Sequence, residues 1–462
     1  MKSYDIIIIG TGGGNKLAGS LAKLGKKIAL VEKSKAGGTC LNRGCIPSKM
    51  MIHPANRMHD LKDIERINIK SDSSIDFAKL TSRINSYTDG TSERVEAGRQ
   101  KSAQIDYYKG TGRFVADKVV SVNGEELTAE TIVIATGSKP LIPDIDGLAH
   151  TPFMTSNEAL RAKKLPKSLI VIGGGYIATE LGGAYAAFGS EVSFVLRSEF
   201  LRPLDSSLRE IFIPEFSKGK TVYDHTDILS AAYAKGKFTL KIKHEGSEKE
   251  ISAEELLVCA GVVPNSLDLQ LENTSIQSDD KGFIPVNDYL ETSVPGVYAI
   301  GDVAGNFLFR HSVNFEAEYF VEANYIAESQ SKIDYPPMPA AVFSNPEIGT
   351  VGLTEKEVTE KGISYVVGEA KYSGIAMARA RGLDTGLVKL IFDSSSHKLL
   401  GAHILGEEAA TMIQELVLAA THQLTAQEIY KQVYIHPAFP EVVRNALRSA
   451  LKQLDEKYQI LF

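Results

Sequence analysis

A strand, a glycine-rich turn and a helix follow one another twice in this chain, and no other feature restricts its fold as tightly. Tyr4 to Ile9 is a short, apolar, β-branched run of the kind that forms a buried strand. Gly10-Thr11-Gly12-Gly13-Gly14-Asn15 follows, then a helical pattern through Leu17, Leu21 and Leu24, and a strand over Lys27–Val31 that ends at Glu32. In that order these are a dinucleotide fingerprint. Gly10, Gly12 and Gly13 let backbone N–H groups and the helix N-terminus approach a pyrophosphate, and the terminal acid suits ribose hydroxyls. Asn15 stands where the third glycine of the pattern is usual, so a slightly displaced helix is expected, with Asn15 as a further candidate phosphate contact. The second copy runs from the strand Ser168–Ile172 through Gly173-Gly174-Gly175-Tyr176 and a helix carrying Leu181 to Phe188 to the strand Glu191–Leu196. It ends in Arg197, with Arg202 five residues on and Glu199 between them. An acid at that strand end selects a free 2′-hydroxyl, whereas arginines suit a 2′-phosphate. The first site therefore reads as FAD-type and the second as NADP(H)-type, with NAD(H) as the alternative.

Between the two folds lies Gly37-Gly38-Thr39-Cys40-Leu41-Asn42-Arg43-Gly44-Cys45-Ile46-Pro47-Ser48-Lys49, which holds two of the three cysteines in 462 residues. Pro47 suits the first turn of a helix, where its missing N–H is no loss. A thiol at a helix N-terminus is favoured as the thiolate, the form that attacks disulfides. Cys40 and Cys45 thus read as a redox pair. Two buried structural cysteines and half of a metal site are the alternatives. A zinc site wants four ligands, and His53 and His59 are the nearby extras.

A formal charge of −6 spread over the chain argues against nucleic acid or an anionic membrane as the main partner. The apolar run before Gly10 is too short for a signal-peptide core and no later stretch approaches a membrane span, so a cytoplasmic protein is expected. Residues 50–110 read as helical, with Arg57, Lys62, Arg66, Lys79 and Arg94 on solvated faces. Tyr107–Thr131 carries hairpin signals, Lys220–Ile251 a charged β layer, and Leu256–Gly261 a strand in which Cys259 is packing. Val297 to Asp302 is a strand ending in an acid suited to hydroxyl groups, and from Pro336 the composition changes to a unit without a nucleotide motif. The expected class is α/β, with two Rossmann-like domains and a C-terminal α+β dimerisation domain. Its boundaries fall at 1–150, 151–265, 266–335 (a return to the first domain) and 336–462.

With the cysteine stretch set between two nucleotide folds, the chain resembles the flavin-dependent pyridine nucleotide–disulfide oxidoreductases over essentially its whole length. The most specific stretches are Gly38–Lys49, Tyr176–Glu180, Thr292–Asp302, Phe343–Leu353, and Tyr434-Ile435-His436-Pro437 with Glu441 five residues after the histidine. The resemblance implies that Glu32, Gly112, Thr136, Gly137 and Asp302 hold FAD, and that Gly173, Gly175, Tyr176, Arg197, Arg202 and Gly261 serve the nicotinamide nucleotide. It implies Lys49 beside the flavin paired to Glu180, Tyr176 as the cover that nicotinamide displaces, Cys45 facing the flavin and Cys40 the substrate. It further implies a homodimer in which His436 is the acid–base across the interface, oriented by Glu441. A histidine titrates nearest the working pH, and a carboxylate behind its ring fixes the tautomer. Nothing in this chemistry requires a metal.

For the substrate, the Gly10–Asn15 turn and His436-Pro437-Ala438-Phe439-Pro440-Glu441-Val442-Val443 resemble the mycothione reductase branch, whereas Phe343–Gly352 resembles the glutathione reductase branch. The expected activity is NADPH-driven reduction of a low-molecular-weight disulfide. NAD-dependent oxidation of dihydrolipoamide is the alternative, and a flavin-bearing redox sensor is the reading from outside enzymology. The arginine pair is one residue closer than the family's usual spacing, and Val262 stands where the family often has arginine. The absence of a C-terminal cysteine pair argues against a mercuric role.

Overall fold

The computed structural model describes residues 1–461. Its first sheet is the one the Ile6–Ile9 run nucleates. Lys2–Ile9 pairs in parallel with Ile28–Glu32 on one side and Glu125–Ile134 on the other, and all four isoleucines are buried. The parallel order continues outward to Ile105–Lys109 at one edge and Val297–Ala299 at the other. The first half of Glu125–Ile134 carries an antiparallel extension, Val119–Val122 and then Arg113–Ala116. A strand buried on both faces reads as a continuous apolar run, which is why Ile6–Ile9 shows no alternation.

The second sheet repeats the theme in four parallel strands, ordered Thr221–Tyr223, Glu191–Val195, Ser168–Ile172, Glu255–Val258. The charged segment that follows it in sequence folds as a three-stranded antiparallel layer, Asp227–Ala234, Lys237–His244 and Ser247–Ala253. In both parallel sheets the first glycine of the turn presses on the carbonyl that ends the neighbouring strand. A Cβ on Gly10 would lie 2.4 Å from the Ala135 oxygen, and one on Gly173 would lie 2.3 Å from the Cys259 oxygen. Only glycine fits either place.

The C-terminal unit is a five-stranded antiparallel sheet, ordered Ala340–Val342, Ile348–Gly352, Leu399–Leu405, Leu387–Asp393, Tyr365–Lys371. Helices Ala409–Thr421 and Glu441–Leu454 share one apolar core with it. Other residues of the same sheet, Val342, Ile348, Leu387 and Leu405, join a different core with the helices Cys45–Lys62 and Tyr176–Phe188. The helix that starts at Cys45 is thus clamped between the second nucleotide fold and the C-terminal sheet. No described helix is long and apolar enough to cross a membrane.

Two local expectations change. In the first helix, Gly14–Lys23, the close helix–strand packing falls to Gly14 rather than to position 15: a Cβ there would stand 2.5 Å from Ile8 Cγ2. Asn15 is held by Arg99, whose guanidinium donates to its side-chain oxygen at 2.6 Å and to its backbone carbonyl at 3.0 Å. Nor are the cations of residues 50–110 all free on solvated faces. Lys62 donates to the Ala187 carbonyl at 2.8 Å and Arg66 to the Arg381 carbonyl at 3.1 Å, which tie the long helices to the other two units.

Candidate active site

A cavity of about 2540 Å³ opens along the C-terminal ends of both parallel sheets, where open α/β sheets bind ligands. That is several times the roughly 300–1,000 Å³ of a site for one small ligand. Gly10, Gly12, Gly13, Glu32, Gly112, Thr136, Gly137 and Asp302 line one part of it, and Gly173, Gly175, Tyr176, Arg197 and Gly261 another. The cysteine pair, Lys49 and Glu180 line the same cavity.

The cysteine stretch forms two helices rather than one. Gly38–Asn42 is a short turn that carries Cys40, and Cys45 is the first residue of Cys45–Lys62. Both sulfurs are free thiols, and the two interact directly. The Cys40 thiol donates to the Cys45 sulfur, the largest influence on it. Burial opposes that, while Lys49, the helix N-terminus and Arg310 reinforce it, and the Cys45 thiol is pushed down to about 7. Cys40 moves the other way, well above the ordinary thiol range, because its proton is engaged by Cys45 and its sulfur is part-buried. The proton therefore rests on Cys40 and the charge on Cys45.

Lys49, one turn along the same helix, donates to Glu180 at 2.6 Å. Glu180 also accepts the Phe343 N–H at 3.0 Å, and the Lys49 ammonium lies 4.5 Å from the centre of the Phe343 ring. Tyr176 opens the helix Tyr176–Phe188 and stacks on Phe309, with ring centres 6.3 Å apart. Burial raises its hydroxyl to about 12, so it is neutral throughout the physiological range.

The glycine cradle of the first fold fits a dinucleotide. A Cβ on Gly12 would meet nothing nearer than Arg310 at 4.0 Å, so the backbone there borders open space. Thr136 lines the same cavity, and its buried hydroxyl has no partner among the described residues. Glu32 is buried and accepts from the Thr11 backbone at 3.0 Å and hydroxyl at 2.5 Å, and from the Ser34 N–H at 2.8 Å, which fixes the carboxylate at the cavity wall. The strand expected to end in Asp302 stops at Ala299, and Asp302 sits in the turn Gly301–Val303, where Ser138 donates to it at 2.5 Å. Burial raises its carboxyl.

In the second fold Arg197 is exposed and lines the cavity, whereas Arg202, also exposed, lies outside the lining. Glu199, the acid between them, is paired to Arg209. Cys259 falls one residue past its strand and also lines the cavity, where burial raises its thiol to about 12.

His436 is absent from the cavity lining of its own chain, and its side chain is 70% exposed. Its Nδ1 lies 3.0 Å from Glu441, the first residue of Glu441–Leu454. Glu441 also accepts from Arg444 at 2.8 Å. Burial raises its carboxyl, but His436, the Ala438 N–H and Arg444 outweigh that and hold it below its ordinary value. Flanking His436, Val433 and Ile435 are 96% and 76% exposed.

The family profile of the pyridine nucleotide–disulphide oxidoreductases matches residues 4–323, and that of their dimerisation domain residues 338–447. The chain belongs to this family. It is 36% identical to mycothione reductase of Mycobacterium tuberculosis, over 97% of this chain and 99% of that protein. It is 34% identical to dihydrolipoyl dehydrogenase of Thermus scotoductus, over 98% of each. Among solved structures, the HOCl-induced flavoprotein disulfide reductase RclA from Escherichia coli superposes with a TM-score of 0.87 at 26% identity, over 98% of this chain and all of that one. As a pyridine nucleotide–disulphide oxidoreductase the chain is a FAD-dependent flavoprotein that acts on sulfur groups and uses a nicotinamide nucleotide, with a mixed α/β fold and a dimerisation domain.

Sequence reasoning missed two side chains of this site. Arg310, first residue of the helix Arg310–Val321, lines the cavity beside Gly12. Glu316 of the same helix is fully buried and accepts the Gly301 N–H at 2.6 Å and the Tyr335 hydroxyl at 2.6 Å, which holds the turn carrying Asp302. Phe343, which opens one of the stretches quoted from the sequence, was given no role there and fixes Glu180 through its backbone. Neither Arg310 nor Glu316 belongs to a spacing motif. The one signal in the sequence was a charged residue, Glu316, on what would be the buried face of an apolar helix.

Proposed function

We propose that the protein is a cytoplasmic, homodimeric, NADPH-dependent reductase of a low-molecular-weight disulfide. The observation that carries this reading is the placement of Cys40 and Cys45, the latter at a helix start, in one cavity with two nucleotide cradles. Bound FAD would supply two-electron relay between the nicotinamide and the cysteine pair. Gly10, Gly12, Gly13, Glu32, Gly112, Thr136, Gly137 and Asp302 would hold it, and Lys49, kept in place by Glu180, would offset negative charge beside it. Gly173, Gly175 and Gly261 would receive the nicotinamide nucleotide, and Tyr176, at the helix start, would cover the cofactor until the nucleotide arrives.

In the reduced protein, Cys40 passes its proton to His436 of the partner subunit and attacks one sulfur of the substrate disulfide. The S–S bond breaks, a mixed disulfide forms on Cys40, and the departing thiolate takes a proton. His436 of the partner subunit supplies that proton, oriented by Glu441 as a carboxylate orients other acid–base histidines. The thiolate of Cys45 then attacks Cys40, which releases the second thiol and restores the Cys40–Cys45 disulfide. Two electrons and two protons are consumed per disulfide. The exposure of His436, Val433 and Ile435 on a single chain supports their burial against a second copy.

NADPH over NADH rests on Arg197 at the cavity wall and on the pairing of Glu199 to Arg209, which offsets the acid that lies between the two arginines. Arg202, outside the lining, contributes less than the sequence reading gave it. Anaerobic titration with NADPH and with NADH, followed by a disulfide panel, tests the reading. Rapid reduction by NADPH, a long-wavelength charge-transfer band and turnover of a small disulfide are expected. A strong NADH preference with lipoamide as the best substrate would defeat it in favour of dihydrolipoamide dehydrogenation.

A further inference from the structure

Tyr176 is steadied by another ring rather than by a polar contact. It packs at the edge of the apolar core that joins its helix to Cys45–Lys62, and its hydroxyl has no hydrogen-bond partner among the described residues. The one ring it stacks on among those residues is Phe309, with centres 6.3 Å and planes 28° apart. Phe309 immediately precedes the helix Arg310–Val321 and also stacks on His311, with centres 5.0 Å and planes 12° apart. His311 is anchored in turn. Its Nε2 lies 2.9 Å from the Pro339 carbonyl, which can only accept, so that nitrogen carries the proton and donates. Pro339 leads into the strand Ala340–Val342. Tyr176, Phe309 and His311 all line the cavity, and their contacts link the second nucleotide fold to the C-terminal unit. Such ring pairs stabilise an arrangement beyond the area they bury. A cover that opens to admit nicotinamide breaks the Tyr176–Phe309 pair, whereas the pair behind it can stay.

We propose that Phe309 is a positioning residue for nicotinamide entry: its ring, backed by His311, holds Tyr176 in the covering position and so sets how readily the nucleotide displaces it. The inference rests on the reading of Tyr176 as a movable cover. A nucleotide that needs the open form binds more weakly in proportion to how much of the protein is closed. Loss of the Phe309 ring therefore tightens nucleotide binding, the opposite of what loss of a binding residue does.

The test is a double-variant cycle on the FAD-loaded protein, with Phe309→Leu and Tyr176→Leu made singly and together. One readout is the emission of the oxidised flavin without nucleotide, because a phenol ring against an excited flavin quenches it by electron transfer. The other is the concentration of NADPH, or of NADH if that reduces the protein faster, that half-saturates flavin reduction in anaerobic stopped flow. F309L is expected to raise the emission and to lower the half-saturating concentration about threefold, the order that one lost ring pair gives, with the limiting rate close to the parental one. In the Y176L background F309L is expected to change neither readout. The proposal is overturned if F309L leaves both unchanged while Y176L moves them, or if F309L acts equally with and without the tyrosine. A rise in the half-saturating concentration also overturns it, since Phe309 would then belong to the nucleotide's own pocket. If F309L loses FAD, His311→Gln keeps a donor for the Pro339 carbonyl and removes the ring behind Phe309. A smaller shift in the same direction is expected there, and unshifted readouts overturn the proposal. If Y176L itself moves neither readout, the tyrosine is no cover, and it is that underlying reading which fails.

Discussion

The least forgiving residue in the site is Cys40, because its thiol proton is what most stabilises charge on Cys45. A thiol pushed down to about 7 is ionised above that pH and loses its charge as pH falls through it. Cys40→Ala deletes the donor, so the midpoint of the charge-transfer band should move up by about one unit or more, and disulfide turnover should fall to background. Cys40→Ser leaves a hydroxyl that still donates, so it should be equally inactive yet hold a midpoint nearer that of the parent protein. Spectra of the two reduced variants across pH check this, and equal midpoints would show that the hydrogen bond is not the dominant influence. At this scale the sequence was informative wherever chemistry follows spacing. The pair Cys40 and Cys45, Lys49 and the His436–Glu441 couple could all be picked out from the string. Arg310 and Glu316 could not, because their importance comes from which side of a helix faces a cavity built by residues hundreds of positions away.

Elements carry these residues only as well as they interlock. Strand Tyr365–Lys371 runs against helix Glu441–Leu454, and the contact closes at Gly368, where a Cβ would stand 2.2 Å from the Ala446 carbonyl and 2.7 Å from the Ala450 Cβ. Backbone cannot yield to a methyl group at that distance without moving the helix, and its first residue is Glu441. Gly368→Ala should therefore cost about 1–3 kcal/mol and lower the melting temperature. It should also depress turnover more than nucleotide-driven flavin reduction, because Glu441 and His436 shift while the cradles do not. A calorimetric scan paired with stopped-flow reduction separates the two effects, and equal losses in both would refute this account. Periodicity anticipated the parallel strands because buried runs are long and apolar. It misjudged the Asn15 turn because the sequence carries three adjacent glycines, Gly12, Gly13 and Gly14, and only packing shows that Gly14 abuts Ile8. Likewise the Gly38–Asn42 turn is too short to show a period.

The units of the whole molecule meet through a buried charge cluster that no motif announces. Lys389 of the C-terminal sheet is fully buried and donates to Asp205 at 2.9 Å, to Ser207 at 2.8 Å and to Glu355 at 2.5 Å, which fastens that sheet to the second nucleotide fold at the start of the helix Ser206–Ser217. Burial raises the Asp205 carboxyl, but the Glu355 N–H, His403 and Lys389 outweigh it and leave it low; burial likewise lowers Lys389, but its two carboxylates leave it high. A depressed acid contributes stability that disappears as pH falls through its folded value, and a raised lysine stability that disappears as pH rises through its own. The docking should thus be firmest across the neutral range. Lys389→Met strands a buried carboxylate and should cost roughly 3–5 kcal/mol in thermal unfolding, and adding Asp205→Asn should recover part of it. If the double variant is no more stable than the single, the cluster is not acting as a pair. On the proposed reading, each site needs His436 from a second chain. Cys45→Ser leaves its own His436 intact, and His436→Ala leaves its own thiols intact, so each homodimer lacks one half of both sites. Random reassociation of equal amounts makes half of the dimers mixed, each with one complete site of two, so activity should return to about a quarter of the parent level. Recovery that fails although mixed dimers form would mean that His436 acts within its own chain, and the exposure of its side chain would then need another explanation.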